Sequence, residues 1–253
     1  VTLGVVVAMN EEAQDLRRVI EDLPGTESFM CGVSELMVND QVVVCKSGIG
    51  KINAASAVTA MLARVKINAV LSIGMAGSLL PCFGVGDIVV ASGAVEHDLD
   101  LRPIARVPGE MLGSSSVCHQ SDKDFVRLLK GIVERDMETW RSVVRDEFNR
   151  DATLSETVVA SGDSLVTSKE NKSKISRHFP YAGVVDMETA AVARVAMQYK
   201  VPWSALRIVS DTADSKEVGA KVLEFCRWQG SKMIADTVVQ LVGLSAKSRS
   251  DGR

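Results

Sequence analysis

Three sets of acidic residues in this chain follow apolar runs. Val184-Val185-Asp186-Met187-Glu188 leads straight into the helix-forming stretch 189–197. Ala205–Val209 runs into Ser210-Asp211, and Leu3–Val7 leads through Ala8-Met9-Asn10 to Glu11-Glu12. Strands that end in carboxylates at helix starts are how open α/β sheets gather ligand sites at their carboxyl edge. Taken singly, each acid is explained by capping, since unpaired amides and the helix dipole favour a carboxylate there by up to about 1 kcal/mol. Taken together, they are expected to meet along one sheet edge, which capping does not require. Like charges collected there push their pKa values apart, leaving one acid protonated and others ionised near neutral pH. That division suits acid/base chemistry on a small polar ligand, at a bond that breaks with positive charge building on carbon.

The elements that must position these acids are legible as apolar runs and helical periodicities. Strands are expected at 2–8, 41–46, 68–73, 86–92, 156–160, 183–186 and 203–209, and helices at 11–22, 51–65, 122–147, 169–177, 188–199 and 216–243. Their alternation is the α/β signature. Residues 28–46 differ, with two polar-alternating segments joined through Asn39-Asp40 as a hairpin, so the sheet is expected to be mixed. Charges of both signs in 121–150, with Phe125, Leu128, Leu129, Ile132 and Val133 at helical spacing, read as a solvated amphipathic helix. No repeat or linker interrupts the chain, so residues 1–245 are expected to form one domain, with 246–253 a disordered tail.

Composition excludes several classes of function. The chain has 253 residues, 46 % hydrophobic and 24 % charged, with a formal net charge of −3, which argues against nonspecific nucleic-acid binding. No apolar run reaches the length of a membrane span, and no signal-peptide pattern opens the chain, although Val1 in place of Met is compatible with a trimmed start. The five cysteines are scattered without a Cys-x-x-Cys pair, so reduced thiols in a cytoplasmic protein are expected. The three histidines form no ligand array, and no metal site is expected.

Small-residue loops each have two readings. Ser47-Gly48-Ile49-Gly50-Lys51 sits between a strand and a helix but fails the spacing of a phosphate loop, and no acid follows to hold a ribose in the dinucleotide manner. Tight helix-to-sheet packing explains its glycines, and so does a loop passing close to a ligand. Gly74-Met75-Ala76-Gly77-Ser78 is a second such loop, open to a ligand's approach or to a plain turn. Asp87 reads as a structural turn acid. In Glu96-His97-Asp98 the histidine is either a satisfied loop residue or the border of a pocket.

At this point the sequence resembles the bacterial 5′-methylthioadenosine/S-adenosylhomocysteine nucleosidases, within the purine nucleoside phosphorylase and uridine phosphorylase superfamily. The matching pieces are Ala8–Glu12, Lys46–Lys51, Gly74–Gly77, Gly84–Val89, His97-Asp98, Ser161–Asp163, Asp186–Glu188 and Arg207–Asp211, in the family's order over nearly the whole chain. The resemblance implies a three-layer α/β/α fold with a central mixed, twisted sheet, and hydrolysis of an N-glycosidic bond to release adenine and a 5-thio-substituted ribose, as in methionine salvage. It assigns Asp211 as the acid that protonates adenine N7, with Ser210 orienting it, and Glu12 as the base that activates water. Arg207 supports the water site, and Glu188 binds ribose hydroxyls and faces the cationic transition state. Asp186 belongs to the same segment, in a role read as structural. Met187 lies against the sugar, Met9 and Ile49 near the 5′ substituent, Met75, Ala76 and Gly77 along the cleft, and Leu165 with Val166 at the base. A lid is implied around Val222–Phe225. No cofactor is implied, and the partners implied are the nucleoside and a second subunit, whose Leu101–Ile104 loop completes the 5′ pocket.

The chain departs from the family pattern in places. Leu165 replaces a stacking aromatic residue, Met75 a small hydroxyl residue and Ser78 a frequent glycine, and the 121–156 segment is longer. These departures bear on which nucleoside is taken. The rival readings are a phosphorylase, a hydrolase for another purine nucleoside such as futalosine, and a non-catalytic ligand-binding member. Clustered arginines would be needed for phosphate, and Glu11-Glu12 stand at the exit where one is expected.

Overall fold

In the computed structural model, which describes residues 2–113, 116–213 and 224–244, the Val-rich strand β1 (Leu3–Val7) is buried along its whole length. It runs parallel to β4 (Val42–Lys46) on one side and β5 (Ala69–Ser78) on the other. From β5 the sheet curls. β10 (Trp203–Asp211) lies parallel to β5 and antiparallel to β6 (Ile88–Glu96). β8 (Leu154–Ser161) follows β6 and β9 (Ala182–Asp186) follows β8, both in parallel, and β9 returns antiparallel to β5. These five strands therefore close a ring, from which β1, β4, β3 (Ser34–Val38) and β2 (Glu27–Cys31) extend as an open wing. A short β7 (His119–Gln120) adds to β6.

Helices cover both faces of the sheet. On one side α1 (Asn10–Glu21), α3 (Lys123–Phe148) and α6 (Ser231–Val242) bury Leu16, Ile20, Leu129, Val133, Ile234 and Val238. On the other, α2 (Lys51–Arg64) and α5 (Thr189–Gln198) bury Ala54, Val58, Met61, Ala190 and Val192. The small residues of α5 allow close approach, and the helix is buried over most of its surface. α4 (Lys169–His178) buries only Ile175, which joins a smaller core under β6, β8 and β9. This is the expected three-layer α/β/α arrangement around a mixed sheet.

Several boundaries differ from those read in the sequence. Asn39-Asp40 does join two antiparallel strands, β3 and β4, but a second hairpin turning at Gly32, with φ +62°, adds β2. Residues 74–78, read as a small-residue loop, continue β5 as strand, because pairing with β10 and then β9 satisfies their backbone. β6 and β8 likewise run on to Glu96 and Ser161. In the last helical stretch, a π-helical turn at Cys226–Gly230 precedes α6, and residues 216–223 lie outside the described residues, as does the tail 246–253. Asp87 is fully buried and accepts from Gly84 N (2.8 Å), Thr153 N (2.7 Å) and Arg150 Nη2 (3.0 Å), as befits a structural acid.

Candidate active site

β1 delivers Glu12 through the first turn of α1. Its Oε2 accepts the Met9 amide at 3.1 Å, which is capping, while its Oε1 crosses to accept the Met75 amide of β5 at 2.8 Å. The crossing requires a glycine next door, since a Cβ on Gly74 would stand 2.7 Å from Oε1. Burial pushes the Glu12 pKa up, against the Met75 amide, the Arg207 charge and the Met9 amide. Met75 itself sends its thioether end against Gly230, at the start of α6.

At the end of β9 the two acids divide the work. Asp186 does the capping: it accepts from the Thr189 amide (3.2 Å) and hydroxyl and from the Ser161 hydroxyl, and it pairs with Arg207 Nε at 2.8 Å. Glu188 occupies the N-cap position of α5 without a side-chain cap bond. Its Oε1 instead accepts the Gly50 amide at 2.8 Å, in the loop before α2. Burial and the Asp186 charge push Glu188 up to about 7, opposed by the Gly50 amide and Arg207.

Arg207 of β10 is 2 % exposed, and beyond Asp186 it donates to Ser72 Oγ (2.6 Å), Thr189 Oγ1 (2.8 Å) and the Leu206 carbonyl (3.2 Å). Glu12, Glu188 and Arg207 line one cavity with Ser72, Gly74 and Met75. The space open to a water's centre is about 10 Å³, about enough for one water.

Asp211 lies one step along the edge. The pairing of β10 with β5 slips between Val209 and Asp211, a bulge that leaves Ser210 as the extra residue and sets Asp211 opposite Gly77. Ser210 Oγ lies 2.8 Å from Asp211 Oδ2 and 3.3 Å from the Ala76 carbonyl, and Asp211 Oδ1 accepts the Ala213 amide at 2.7 Å. Asp211 lines a second hollow with Gly77, Leu165, Val166, Asp186 and Met187. The two hollows adjoin through the chain, since Met187 lines one and Glu188 the other.

The remaining residues singled out from the sequence are scattered around this cleft. Met9 is the N-cap of α1, Ala76 is buried in β5, and Ile49 is exposed in the loop before α2. Val166 is buried, but Leu165 is 67 % exposed. Phe225 departs from the implied lid: it is buried, its ring packed on Trp140 and Phe148, while Val222 and Leu223 lie outside the described residues. The His97 ring lies over Gly162, and its buried Nε2 has no hydrogen-bond partner among the described residues. Ser72, Ser161, Thr189 and Gly50 were not singled out individually from the sequence. The available signal was hydroxyl groups inside otherwise apolar strands and a helix start, where each buried O–H must find a partner.

The glycine loop now has a concrete reading. Its Gly50 and Lys51 amides are taken by Glu188 and by Asp163 Oδ1 (2.7 Å), carboxylates of the chain itself. A buried carboxylate that holds protons more tightly than usual is a stronger base than a solvated one, and a partly exposed acid bordering an aliphatic hollow can reach a ligand. Two buried carboxylates, Glu12 and Glu188, thus border one hollow, and Asp211 borders the adjoining one.

Residues 2–240 match the family model described as the Phosphorylase superfamily. Among solved structures, the chain is similar to 5′-methylthioadenosine/S-adenosylhomocysteine nucleosidase from Neisseria meningitidis in complex with methylthio-immucillin-A. The identity is 28 %, covering 94 % of this chain and 99 % of that one, with a TM-score of 0.79. The Helicobacter pylori enzyme of the same name, bound to butyl-thio-DADMe-Immucillin-A, gives 27 % identity, 96 % and 97 % coverage and a TM-score of 0.76. Futalosine hydrolase from Helicobacter pylori matches as well, at 28 % identity, 94 % and 97 % coverage and a TM-score of 0.76.

Proposed function

The chain belongs to the phosphorylase superfamily, and on that premise we propose that it is an N-glycosyl hydrolase that attacks its nucleoside with water rather than phosphate. The observation that carries this reading is the charge of the cavity. Two carboxylates line it, and its one arginine is already bonded to Asp186, Ser72 and Thr189. A phosphate dianion entering there would find two carboxyl groups and no free cation to offset its charge, whereas a water would find acceptors and a base.

In this reading Glu12 takes a proton from the water as its oxygen bonds to C1′. The C1′–N9 bond breaks, its electron pair passes to the purine, and Asp211, held by Ser210 and the Ala213 amide, supplies the proton at N7. Glu188 holds the ribose hydroxyls and faces the developing oxocarbenium charge, where a fixed anion counts most. Arg207 and Asp186 act from beneath, keeping Glu188 and Thr189 in place. The substrates proposed are 5′-methylthioadenosine and S-adenosylhomocysteine, with adenine released, in a cytoplasmic homodimer whose partner covers the exposed Ile49 and Ile104.

A second substrate reading is futalosine. It is favoured by the aliphatic base hollow, where Leu165, Val166, Val185 and Met187 supply no aromatic face, and by the likeness to futalosine hydrolase. The test is base release from methylthioadenosine, S-adenosylhomocysteine, adenosine, inosine and futalosine, each with and without phosphate. Adenine release from the thio-nucleosides at a rate independent of phosphate is expected. Strict dependence on phosphate would end the hydrolase reading, and release from futalosine alone would replace the substrate.

A further inference from the structure

Glu188 is met by one amide, that of Gly50, and Gly50 stands at φ +98° just before α2. What fixes Gly50 there is a set of charged side chains for which the proposed reaction has no use. The next amide, Lys51 N–H, donates to Asp163 Oδ1 at 2.7 Å. The Asp163 amide donates to Asp98 Oδ2 at 2.8 Å, and Asp98 Oδ1 receives Lys51 Nζ at 2.5 Å. The circuit therefore closes on Lys51. Its ammonium, with the side chain 16 % exposed, also reaches Glu96 Oε2 at 3.3 Å, and the other oxygen of Glu96 meets Arg194 at 3.2 Å. A Cβ on Gly50 would stand 3.0 Å from Asp163 Oδ1, and one on Gly162 would overlap the His97 ring.

We propose that Lys51, Asp98 and Asp163 are positioning residues, forming a latch that ties the start of α2 to the exits of β6 and β8 and thereby presents the Gly50 amide to Glu188. None of the three lines either hollow. The groups facing Glu188 are Asp186 and Glu12, of like charge, and Arg207 and the Gly50 amide, which favour its ionised form. Releasing the amide leaves burial and like charge less opposed, so Glu188 binds its proton more tightly. The consequence for catalysis rests on the proposed role of Glu188 at the ribose; the physical effect on Glu188 does not.

The test compares Asp163→Ala with Asp163→Asn, which loses the charge but keeps the oxygen that accepts from Lys51. Glu188 is followed in the whole protein by NMR titration of ¹³C-labelled glutamate, its signal assigned with Glu188→Gln. In Asp163→Ala the Glu188 midpoint is expected to rise by about one pH unit, the worth of a weakened hydrogen bond to a charged group. The acidic limb of kcat/KM should rise with it, and Asp163→Asn should show no rise. Lys51→Met, which cuts the other leg of the circuit, should give a smaller rise in the same direction and serves if Asp163→Ala does not fold. An unmoved Glu188 midpoint in Asp163→Ala, or in Lys51→Met where only that variant folds, overturns the latch, and so does an equal rise in Asp163→Asn. If the midpoint rises while Glu188→Gln turns over at the normal rate, the latch stands and the role of Glu188 falls.

Discussion

Glu12 uses its two oxygens for different purposes. One caps the helix on which it sits, and the other is bound to a strand more than sixty residues away in sequence, at Met75. A capping acid and a site acid are thus one residue, and the local explanation was incomplete rather than mistaken. Asp211 is simpler, since the Ser210 hydroxyl and the Ala213 amide hold it in place. Asp211→Asn keeps an oxygen for the Ala213 amide but has no proton of useful acidity to give. Its kcat is expected to fall by about 10²–10⁴, with a melting temperature within about 2 °C of wild type, as for a substitution that opens no cavity and breaks no buried pair. Steady-state kinetics beside a thermal melt checks this, and near-normal turnover would remove Asp211 as the acid.

At the scale of elements, β5 is the strand on which the site depends. Gly74 gives the Glu12 carboxylate room, the Met75 amide binds it, and Gly77 lies beside Asp211. Gly74→Ala would drive a methyl group to 2.7 Å from Glu12 Oε1. The carboxylate must then move, and kcat is expected to fall by about 10- to 100-fold, the scale of a reacting group displaced by about an ångström. Gly4→Ala is the control. Its Cβ would meet chiefly the flexible end of Met61, so it should lower stability by about 1–3 kcal/mol and leave kcat alone. Equal losses of kcat in the two variants would show that β5 matters only as structure. The apolar runs marked these strands because both faces of the sheet are covered. The end of β5 at 74–78 is not legible in the sequence, because small residues read as a turn unless the pairing strands are known.

Over the whole molecule, the gathered acids make stability depend on pH. Glu188 is raised from its ordinary value of 4.5 to about 7, chiefly by burial and then by Asp186. The folded chain therefore binds this proton more tightly than the unfolded one. The stabilisation is fully present below pH 4.5 and is lost as pH rises through about 7, an effect of up to about 3 kcal/mol. Glu188→Gln resembles the neutral carboxyl at every pH. Its melting temperature should gain on wild type steadily across that window, and a difference that stays flat would show that Glu188 titrates normally.

The sequence by itself determined the alternation of strand and helix and the acids that follow three strands, while the three-layer class came with the family resemblance. The alternation and the acids follow from periodicity and composition, which act over a few residues at a time. Its motifs, in order, also carried the resemblance to nucleosidases. Only the tertiary structure decided that β10 pairs with both β5 and β6, closing the ring, and that Asp186 caps while Glu188 reaches across to Gly50. It also decided that Arg207 spends its donors within the chain. Such outcomes depend on which distant groups become neighbours once the backbone and every buried hydroxyl must be satisfied, and spacing along the chain carries no record of that.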